Sequence, residues 1–314
     1  MPGPLLTERR RLRDATLLTL ILAIPISLGS AHIASAAAPT FQGTFTSAGM
    51  CSPRGVGISP SGDVYVGSDC QSPFMAHFTG AGSLVGTWTF PFRYLGSPNG
   101  VAVDGSSNVF VTDYDGAKIL KYTSSGALLT SWGSLSAPVD VAVDVSGNVY
   151  VVELSGKRVQ KFTTNGTPLA MIDSAGTGPG HFQEPAGIAL DAGGRIYVAD
   201  PGRMRILRFL ADGSFDMEFP APGASAYDMA EGPDGNIYVI RFDVSQVYQY
   251  SPGGVLLQTF SSPAGLNGAF RIAIGPSGLM YIAEQYNNRV SVFQIDQATP
   301  ATHLSFGQLK AMYR

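Results

Sequence analysis

Of six short apolar segments of the chain, five are preceded by polar or aromatic residues whose types could support chemistry. Asn99, Asp140 and Asp228 offer amide and carboxylate oxygens, which are the ligands that Ca²⁺ prefers in proteins. An ion held there would polarise a carbonyl group or activate a water molecule, as in a hydrolase or a lyase. Alternatively, Asp140 or Asp228 forms an ion pair with Arg54 or Arg271, and these residues are structural. The sequence leaves both interpretations open.

The same positions also carry residue types that are common in binding sites. Tyr227 and Phe270 add aromatic surface, and tyrosine and arginine often dominate the affinity of interfaces. We call the residues that precede the six apolar segments the rim residues. Those that we expect to bind a ligand are Arg54, Asn99, Asp140, Tyr227, Asp228, Phe270 and Arg271. Alanine substitution of Tyr227 and Arg271 is therefore expected to abolish binding without lowering the melting temperature.

Other catalytic sites find little support in the sequence. A zinc site needs three or four convergent nitrogen or sulfur ligands, but His77, His181 and His303 are not at equivalent positions. No G-x-S-x-G motif, phosphate-binding loop or D-x-D-x-D-G calcium loop is present. We therefore predict no catalytic residue and no cofactor. The alternative is a Ca²⁺ ion bound by Asn99, Asp140 and Asp228.

An internal repeat determines where the rim residues would lie. A strand-like segment with an aromatic residue recurs six times, at intervals of about 40–47 residues. Its aromatic residues are Tyr65, Phe110, Tyr150, Tyr197, Tyr238 and Tyr281. Each segment follows a tight turn, and ahead of the turn lies a short apolar strand with a small central residue. The small residues, which suit a strand beside a crowded axis, are Gly57, Ala102, Ala142, Ala189, Ala230 and Ala273.

Two further strands complete the repeat, so we predict four antiparallel strands in each unit. Six such units give an all-β fold, a six-bladed β-propeller over residues 40–296. The sixth repeat lacks a good fourth strand, but residues 40–45 match the pattern of residues 127–132. The first strand of the mature chain is therefore expected to complete the last blade and close the ring, which removes exposed sheet edges.

A pair of opposite charges recurs at the turn between the second and third strands. Four carboxylates end second strands, and a basic residue follows five positions later. The expected pairs are Asp113 with Lys118, Glu153 with Arg158, Asp200 with Arg205, and Glu284 with Arg289. We interpret these pairs as structural, and Ser68 and Arg241 depart from the scheme in the first and fifth repeats.

The two cysteines of the chain flank the first two strands of the first repeat. Cys51 precedes the first strand, and Cys70 follows the second. Adjacent antiparallel strands place these positions on the same face, so we predict a disulfide. Closing a loop of about 20 residues would contribute roughly 3 kcal/mol in the chain-entropy model.

These repeats resemble the NHL repeat, most clearly over residues 176–209 in the segment GTGPGHFQEPAGIALDAGGRIYVADPGRMRILRF. The second and third repeats match almost as well, through SPNGVAVD and APVDVAVDVSGNVYVVE. The resemblance implies a propeller fold but no single function, because propellers support many activities. Similar propellers include amidating lyases, whose metal is held by histidines in the channel, and this chain has no histidine at those positions. They also include lactonase-like enzymes, whose metal is held by carboxylate and amide oxygens. Others are ubiquitin ligases, and two cysteines cannot build their RING domain.

The ends of the chain and its charge indicate where the protein acts. The first 38 residues have the pattern of a cleaved signal peptide, with arginines within 9–13, an apolar stretch over 15–28 and small residues up to 38. We therefore predict a secreted protein without a membrane anchor. Residues 297–314 form a C-terminal tail outside the repeats. A net charge of −3 opposes nucleic-acid binding. We expect a monomer whose exposed face binds a protein or carbohydrate partner.

Overall fold

The fold consists of six four-stranded antiparallel sheets, which are the blades of a propeller. A computed structural model describes residues 37–90, 98–173, 178–221, 223 and 226–296. The predicted tail, and all but two residues of the predicted signal peptide, lie outside these residues. No helix in the described ranges is long and apolar enough to cross a membrane.

The strands follow one another along the chain in the predicted order. Blade 1 contains β2 (Pro53–Ile58), β3 (Val64–Ser68), β4 (Phe74–Phe78) and β5 (Leu84–Thr89). Blade 2 contains β6 (Val101–Val103), β7 (Val109–Asp113), β8 (Lys118–Tyr122) and β9 (Leu128–Gly133). Blade 3 contains β10 (Pro138–Val143), β11 (Val149–Glu153), β12 (Arg158–Phe162) and β13 (Pro168–Asp173).

The remaining blades repeat this arrangement. Blade 4 contains β14 (Gly187–Leu190), β15 (Ile196–Asp200), a 3₁₀-helix (Pro201–Arg203), β16 (Arg205–Phe209) and β17 (Phe215–Pro220). Blade 5 contains β18 (Ala226–Glu231), β19 (Ile237–Arg241), β20 (Gln246–Tyr250) and β21 (Leu256–Phe260). Blade 6 contains β22 (Ala269–Ile274), β23 (Leu279–Glu284), β24 (Arg289–Gln294) and β1 (Thr40–Phe45).

The first strand of each blade lies beside the central channel, where neighbouring first strands contact one another around the ring. The six small residues predicted for these strands all line a channel cavity of about 250 Å³. The flanking apolar residues, such as Val141 and Ile188, are buried between blades. We call the face where the first strands begin the top face, and the face where they end the bottom face.

The N-terminal strand closes the ring, as the sequence predicts. β1 pairs with β24 in antiparallel register, with Thr40 opposite Gln294 and Phe45 opposite Val290. The Phe45 ring lies against Gly82 in the turn that follows β4, and it packs on Phe78 with a centroid distance of 4.7 Å. In blade 2, Trp132 lies in the same way against Gly166. Both glycines have positive φ, and a Cβ at either position would collide with the ring.

Three polar side chains link neighbouring blades near the bottom face, and the sequence analysis did not foresee them. Lys121 donates to the carbonyl and hydroxyl oxygens of Thr164 at 3.1 and 2.9 Å. Arg208 donates to the Pro252 carbonyl, and the Tyr281 hydroxyl donates to the Gly80 carbonyl at 2.8 Å. Each acceptor belongs to the turn between the third and fourth strands of the next blade.

The predicted ion pairs form in three blades and fail in one. Arg158 and Glu153 are 2.8 Å apart, Arg289 and Glu284 are 2.9 Å apart, and Lys118 and Asp113 are 3.9 Å apart. In blade 4 the prediction is wrong, because Arg205 pairs with Glu218 of the outer strand at 3.1 Å.

The carboxylates of these turns are buried because they also hold the loop that precedes the blade. Asp200 accepts the backbone N–H groups of Gln183 and Glu184 at 2.6 and 2.8 Å. Glu153 accepts the N–H of Ser136 at 2.5 Å. Ser68 replaces the acid in blade 1 and accepts the N–H of Cys51 at 3.0 Å. The predicted disulfide between Cys51 and Cys70 forms beside it, with the two Cα atoms 5.6 Å apart.

Candidate functional site

The rim residues lie together around the top opening of the channel, where the register of the repeat places them. A β-bulge interrupts the pairing of the first and second strands at this level in four blades, for example between Pro138 and Asp140. The extra residue of each bulge leaves backbone carbonyl groups without a partner in the sheet. Two carbonyls at such bulges, from Val139 and Tyr227, accept hydrogen bonds from one side chain. The same side chain also donates to the carbonyls of Asn99 and Ala186, which stand just before the first strands of blades 2 and 4.

That side chain is Arg271, whose guanidinium group fills the centre of the opening. Its Nε donates to Asn99 O at 2.8 Å, Nη2 donates to Val139 O at 2.6 Å, and Nη1 donates to Tyr227 O at 3.1 Å. Nη1 also lies 3.4 Å from Asp140 Oδ2 and 3.5 Å from Asp228 Oδ1. Arg271 is 4% exposed, so it joins blades 2, 3, 4 and 5 to blade 6 from inside the protein.

The two aspartates beside Arg271 each link their own blade to the next one. Asp140 accepts the N–H of Ile188 at 2.9 Å, and Asp228 accepts the N–H of Ile272 at 2.8 Å. Burial raises the pKa of Asp140, and the Arg271 guanidinium opposes that rise. Burial and the neighbouring Asp140 carboxylate raise the pKa of Asp228 well above its ordinary value.

Asp140 and Asp228 thus pair with Arg271, as in the alternative that treats these residues as structural. In this arrangement the three candidate Ca²⁺ ligands already have arginine partners. The guanidinium of Arg271 stands between Asp140 and Asp228, and Asn99 Oδ1 accepts a hydrogen bond from Arg54 Nη1 at 3.3 Å. Among the described residues there is no group of three or more His, Cys, Asp or Glu residues that could hold a metal ion.

The expected effect of replacing Arg271 also needs correction. A side chain this buried, with two carboxylates and four carbonyl groups as partners, cannot be removed without loss of stability. Of the other rim residues, Asn99, Asp140 and Asp228 are also buried, whereas Arg54, Tyr227 and Phe270 are partly exposed. Only these last three therefore present side chains that a ligand can reach.

A pocket of about 470 Å³ lies on the top face above Arg271. One wall is aromatic and comes from Tyr227 and Phe270 of blades 5 and 6. The opposite wall is polar and comes from the loops of blades 3 and 4. It contributes Ser155, Lys157, Gln183 and Glu184. Lys157, Gln183 and Glu184 are exposed, so both donors and acceptors are available beside an apolar surface.

Arg54 stands at the rim next to the pocket and holds its aromatic wall. Its Nε lies 2.9 Å from Asp69 Oδ2, and its guanidinium carbon lies 5.2 Å from the centre of the Phe270 ring. Asp69 is the residue before Cys70. The disulfide therefore fixes the segment that carries Asp69, and Asp69 in turn positions Arg54.

Two aromatic residues of the top face were missed by the sequence analysis. Phe242 and Tyr286 lie in the turns between the second and third strands of blades 5 and 6. Phe242 contacts Tyr227, Phe270 and Tyr286, with centroid distances of 6.0, 5.9 and 5.7 Å. These turns lie on the same face as the rim residues. The position of Phe242 and Tyr286 within the repeat would therefore have predicted that they lie near the rim.

Comparison with known families agrees with this architecture. The family model for the NHL repeat matches residues 182–209, which run from the loop before β14 to the end of β16. Blade 4 therefore contains an NHL repeat, in a chain that folds as a six-bladed β-propeller. No curated protein matches its sequence significantly.

Solved structures with the same fold as this propeller include lyases. Virginiamycin B lyase from Staphylococcus aureus, in a catalytically inactive His-to-Ala variant with quinupristin, has a TM-score of 0.61 and 16% identity over 82% of this chain and 89% of that chain. A selenomethionine-substituted form has a TM-score of 0.60 and 17% identity over the same shares. A streptogramin B lyase has a TM-score of 0.57 and 14% identity over 81% and 97%. At this identity the likeness shows the fold alone.

Proposed function

We propose that this protein is a secreted, non-catalytic binding module that holds a protein or carbohydrate partner in the top-face pocket. The observation that carries the proposal is the pocket itself, with its aromatic wall, its polar wall and a floor that is already fully paired. Binding pockets typically combine apolar surface with a few polar groups that fix the orientation of a ligand.

The chemistry of the floor supports binding rather than catalysis. The buried carboxylates of Asp140 and Asp228 already contact the Arg271 guanidinium and backbone N–H groups. A catalytic acid or base needs to reach its substrate within hydrogen-bond distance. The two histidines in the described ranges do not line the pocket, since His77 stacks on Tyr65 in blade 1 and His181 precedes β14.

The test is a binding screen of the secreted chain against panels of soluble oligosaccharides and peptides. We expect Tyr227→Ala to weaken binding of the selected compound by about tenfold or more, because a central aromatic contact is lost. Phe215→Ala is the matched control, since Phe215 is a partly exposed aromatic residue on the outer strand β17. Equal affinity of the wild type and Tyr227→Ala would refute the assignment of the pocket.

A second candidate is a metal-dependent enzyme of the lactonase or lyase type, supported by the fold shared with virginiamycin B and streptogramin B lyases. This candidate requires Arg271 to leave its partners so that Asn99, Asp140 and Asp228 can bind Ca²⁺. Elemental analysis of the purified protein before and after chelation separates the two functions. About one bound calcium per chain, together with metal-dependent change of quinupristin or a lactone, would favour the enzyme.

A further inference from the structure

Four aromatic side chains form a connected group on the top face, which we call the aromatic row. Tyr286 lies beside Phe242, and Phe242 lies edge-on against both Phe270 and Tyr227, which are nearly parallel to each other. The centroid distances are 5.7 Å from Tyr286 to Phe242, 5.9 and 6.0 Å from Phe242 to Phe270 and Tyr227, and 6.1 Å from Phe270 to Tyr227. Tyr286 is 60% exposed, while Tyr227 and Phe270 line the pocket. The row therefore extends from the exposed turn of blade 6 to the pocket above the channel.

The core of the propeller does not require this row. Every blade has its own buried aromatic residue on its second strand, such as Tyr238 in blade 5 and Tyr281 in blade 6. At the positions of Tyr227 and Phe270, the other blades carry Arg54, Asn99, Val139 and Ala186. At the position of Tyr286, the other blades carry Cys70, Asp115, Ser155, Gly202 and Asp243. An aromatic residue thus stands at the first of these positions only in blades 5 and 6, and at the second only in blade 6.

The surroundings of the row carry little unbalanced charge. Arg54 is paired with Asp69, Arg241 with Asp243 at 2.5 Å, and Arg289 with Glu284 at 2.9 Å. Single-stranded nucleic acid also stacks on aromatic rows, but it requires a strongly positive groove along its backbone. The paired charges and the net charge of −3 therefore favour an uncharged ligand.

The chemistry of the two walls points to a sugar. A pyranose ring has an apolar face of C–H groups that fits flat against an aromatic ring, and its edge carries hydroxyl groups that both donate and accept hydrogen bonds. The pocket offers this combination, with Tyr227 and Phe270 facing Lys157, Gln183 and Glu184. A proline-rich peptide also docks on aromatic grooves, but it offers few donors for an acceptor such as Glu184.

We propose that the aromatic row binds successive sugar rings of an uncharged oligosaccharide, whose end unit enters the top-face pocket. This inference rests on the proposed function, because it names the ligand class of the same pocket. It adds that Tyr286 and Phe242 contact only the longer ligands, since they lie outside the pocket lining. Chain-length dependence is therefore the signature of the row.

The experiment is titration calorimetry of the secreted protein with cellohexaose, chitohexaose and mannohexaose and with the corresponding disaccharides. We expect one of these series to bind, with the hexaose tighter than the disaccharide. Tyr286→Ala should lower the affinity for the hexaose by about fivefold or more and leave the affinity for the disaccharide unchanged. Tyr227→Ala should weaken both. Val244→Ala is the control, since Val244 is an exposed apolar residue of a neighbouring top-face turn.

Distinct results overturn the two proposals. If Tyr227→Ala abolishes hexaose binding but Tyr286→Ala leaves it unchanged, the pocket stands and the row is refuted. If none of the three hexaoses binds and decaproline binds in a manner sensitive to Tyr227→Ala, the sugar class is wrong although the pocket remains a binding site. If neither the hexaoses nor the peptide panel bind, both the inference and the proposed function fail.

Discussion

At the scale of single residues, Arg271 has the most unusual environment in the part of the chain that the structure describes. Its guanidinium donates to carbonyl groups of four different blades and lies between two buried carboxylates. Buried charges are tolerated in proteins only when other groups pair with them. Arg271 and the two aspartates therefore depend on one another, and none of the three is free to change alone.

Arg271→Met should lower the free energy of unfolding by about 3–5 kcal/mol, because it leaves buried carboxylates and carbonyl groups without a partner. Urea denaturation measures this change. The control is Arg205→Met, which removes an ion pair with Glu218 whose side chains are 40% and 18% exposed, and it should cost less than about 1 kcal/mol. Equal effects of the two substitutions would contradict the role of Arg271.

At the scale of structural elements, the end of the second strand holds the loop that leads into the blade in blades 1, 3, 4 and 6. A carboxylate does this in blades 3, 4 and 6, through hydrogen bonds to backbone N–H groups. Blade 1 uses Ser68 and the disulfide between Cys51 and Cys70 instead. The same disulfide lies next to Asp69, which holds Arg54 against the aromatic wall of the pocket.

Reduction of the disulfide should therefore lower stability by about 3 kcal/mol, the value expected for closing a loop of this length. The measurement is urea denaturation with and without dithiothreitol. The Cys51→Ser/Cys70→Ser double variant is the control, because it should be as unstable as the reduced protein and insensitive to the reductant. A double variant as stable as the oxidised wild type would show that Ser68 alone holds the loop.

At the scale of the whole molecule, the repeat in the sequence is sufficient to predict the propeller. The strand order, the small residues along the channel and the closure by residues 40–45 follow from the spacing and from the missing fourth strand of the last repeat. The rim residues were also placed correctly, because their position within the repeat determines their height along the axis.

Contacts between blades could not be predicted in this way. Lys121 and Arg208 donate hydrogen bonds to carbonyl groups of the next blade. Arg205 forms its ion pair with Glu218 and not with Asp200. Arg271 gathers partners from four blades. The pattern within one repeat predicts the strands of a blade. The partners of these side chains depend instead on how adjacent blades pack and on which side chain occupies the space at the axis.

Closure of the ring can be tested through Phe45 and its counterpart in an interior blade. Phe45→Ala should destabilise the protein by about 2–4 kcal/mol, because the ring packs on Phe78 and on the turn at Gly82. Trp132→Ala removes the equivalent contact on Gly166 and should have a comparable effect. A negligible effect of Phe45→Ala in urea denaturation, beside a large effect of Trp132→Ala, would mean that the closing strand contributes little.

The pairing of β1 with β24 also sets an order of events during synthesis. Thr40 is among the first residues of the propeller to be made, and its partner Gln294 is among the last. At about 5–20 residues per second, the ribosome needs on the order of 10–50 s to make the intervening chain. Throughout that interval β1 has no partner strand, and blade 1 has no sixth blade beside it. Completion of the native ring therefore has to wait until β24 has been made, and a chain truncated before β24 would expose two unpaired edges to aggregation or proteolysis.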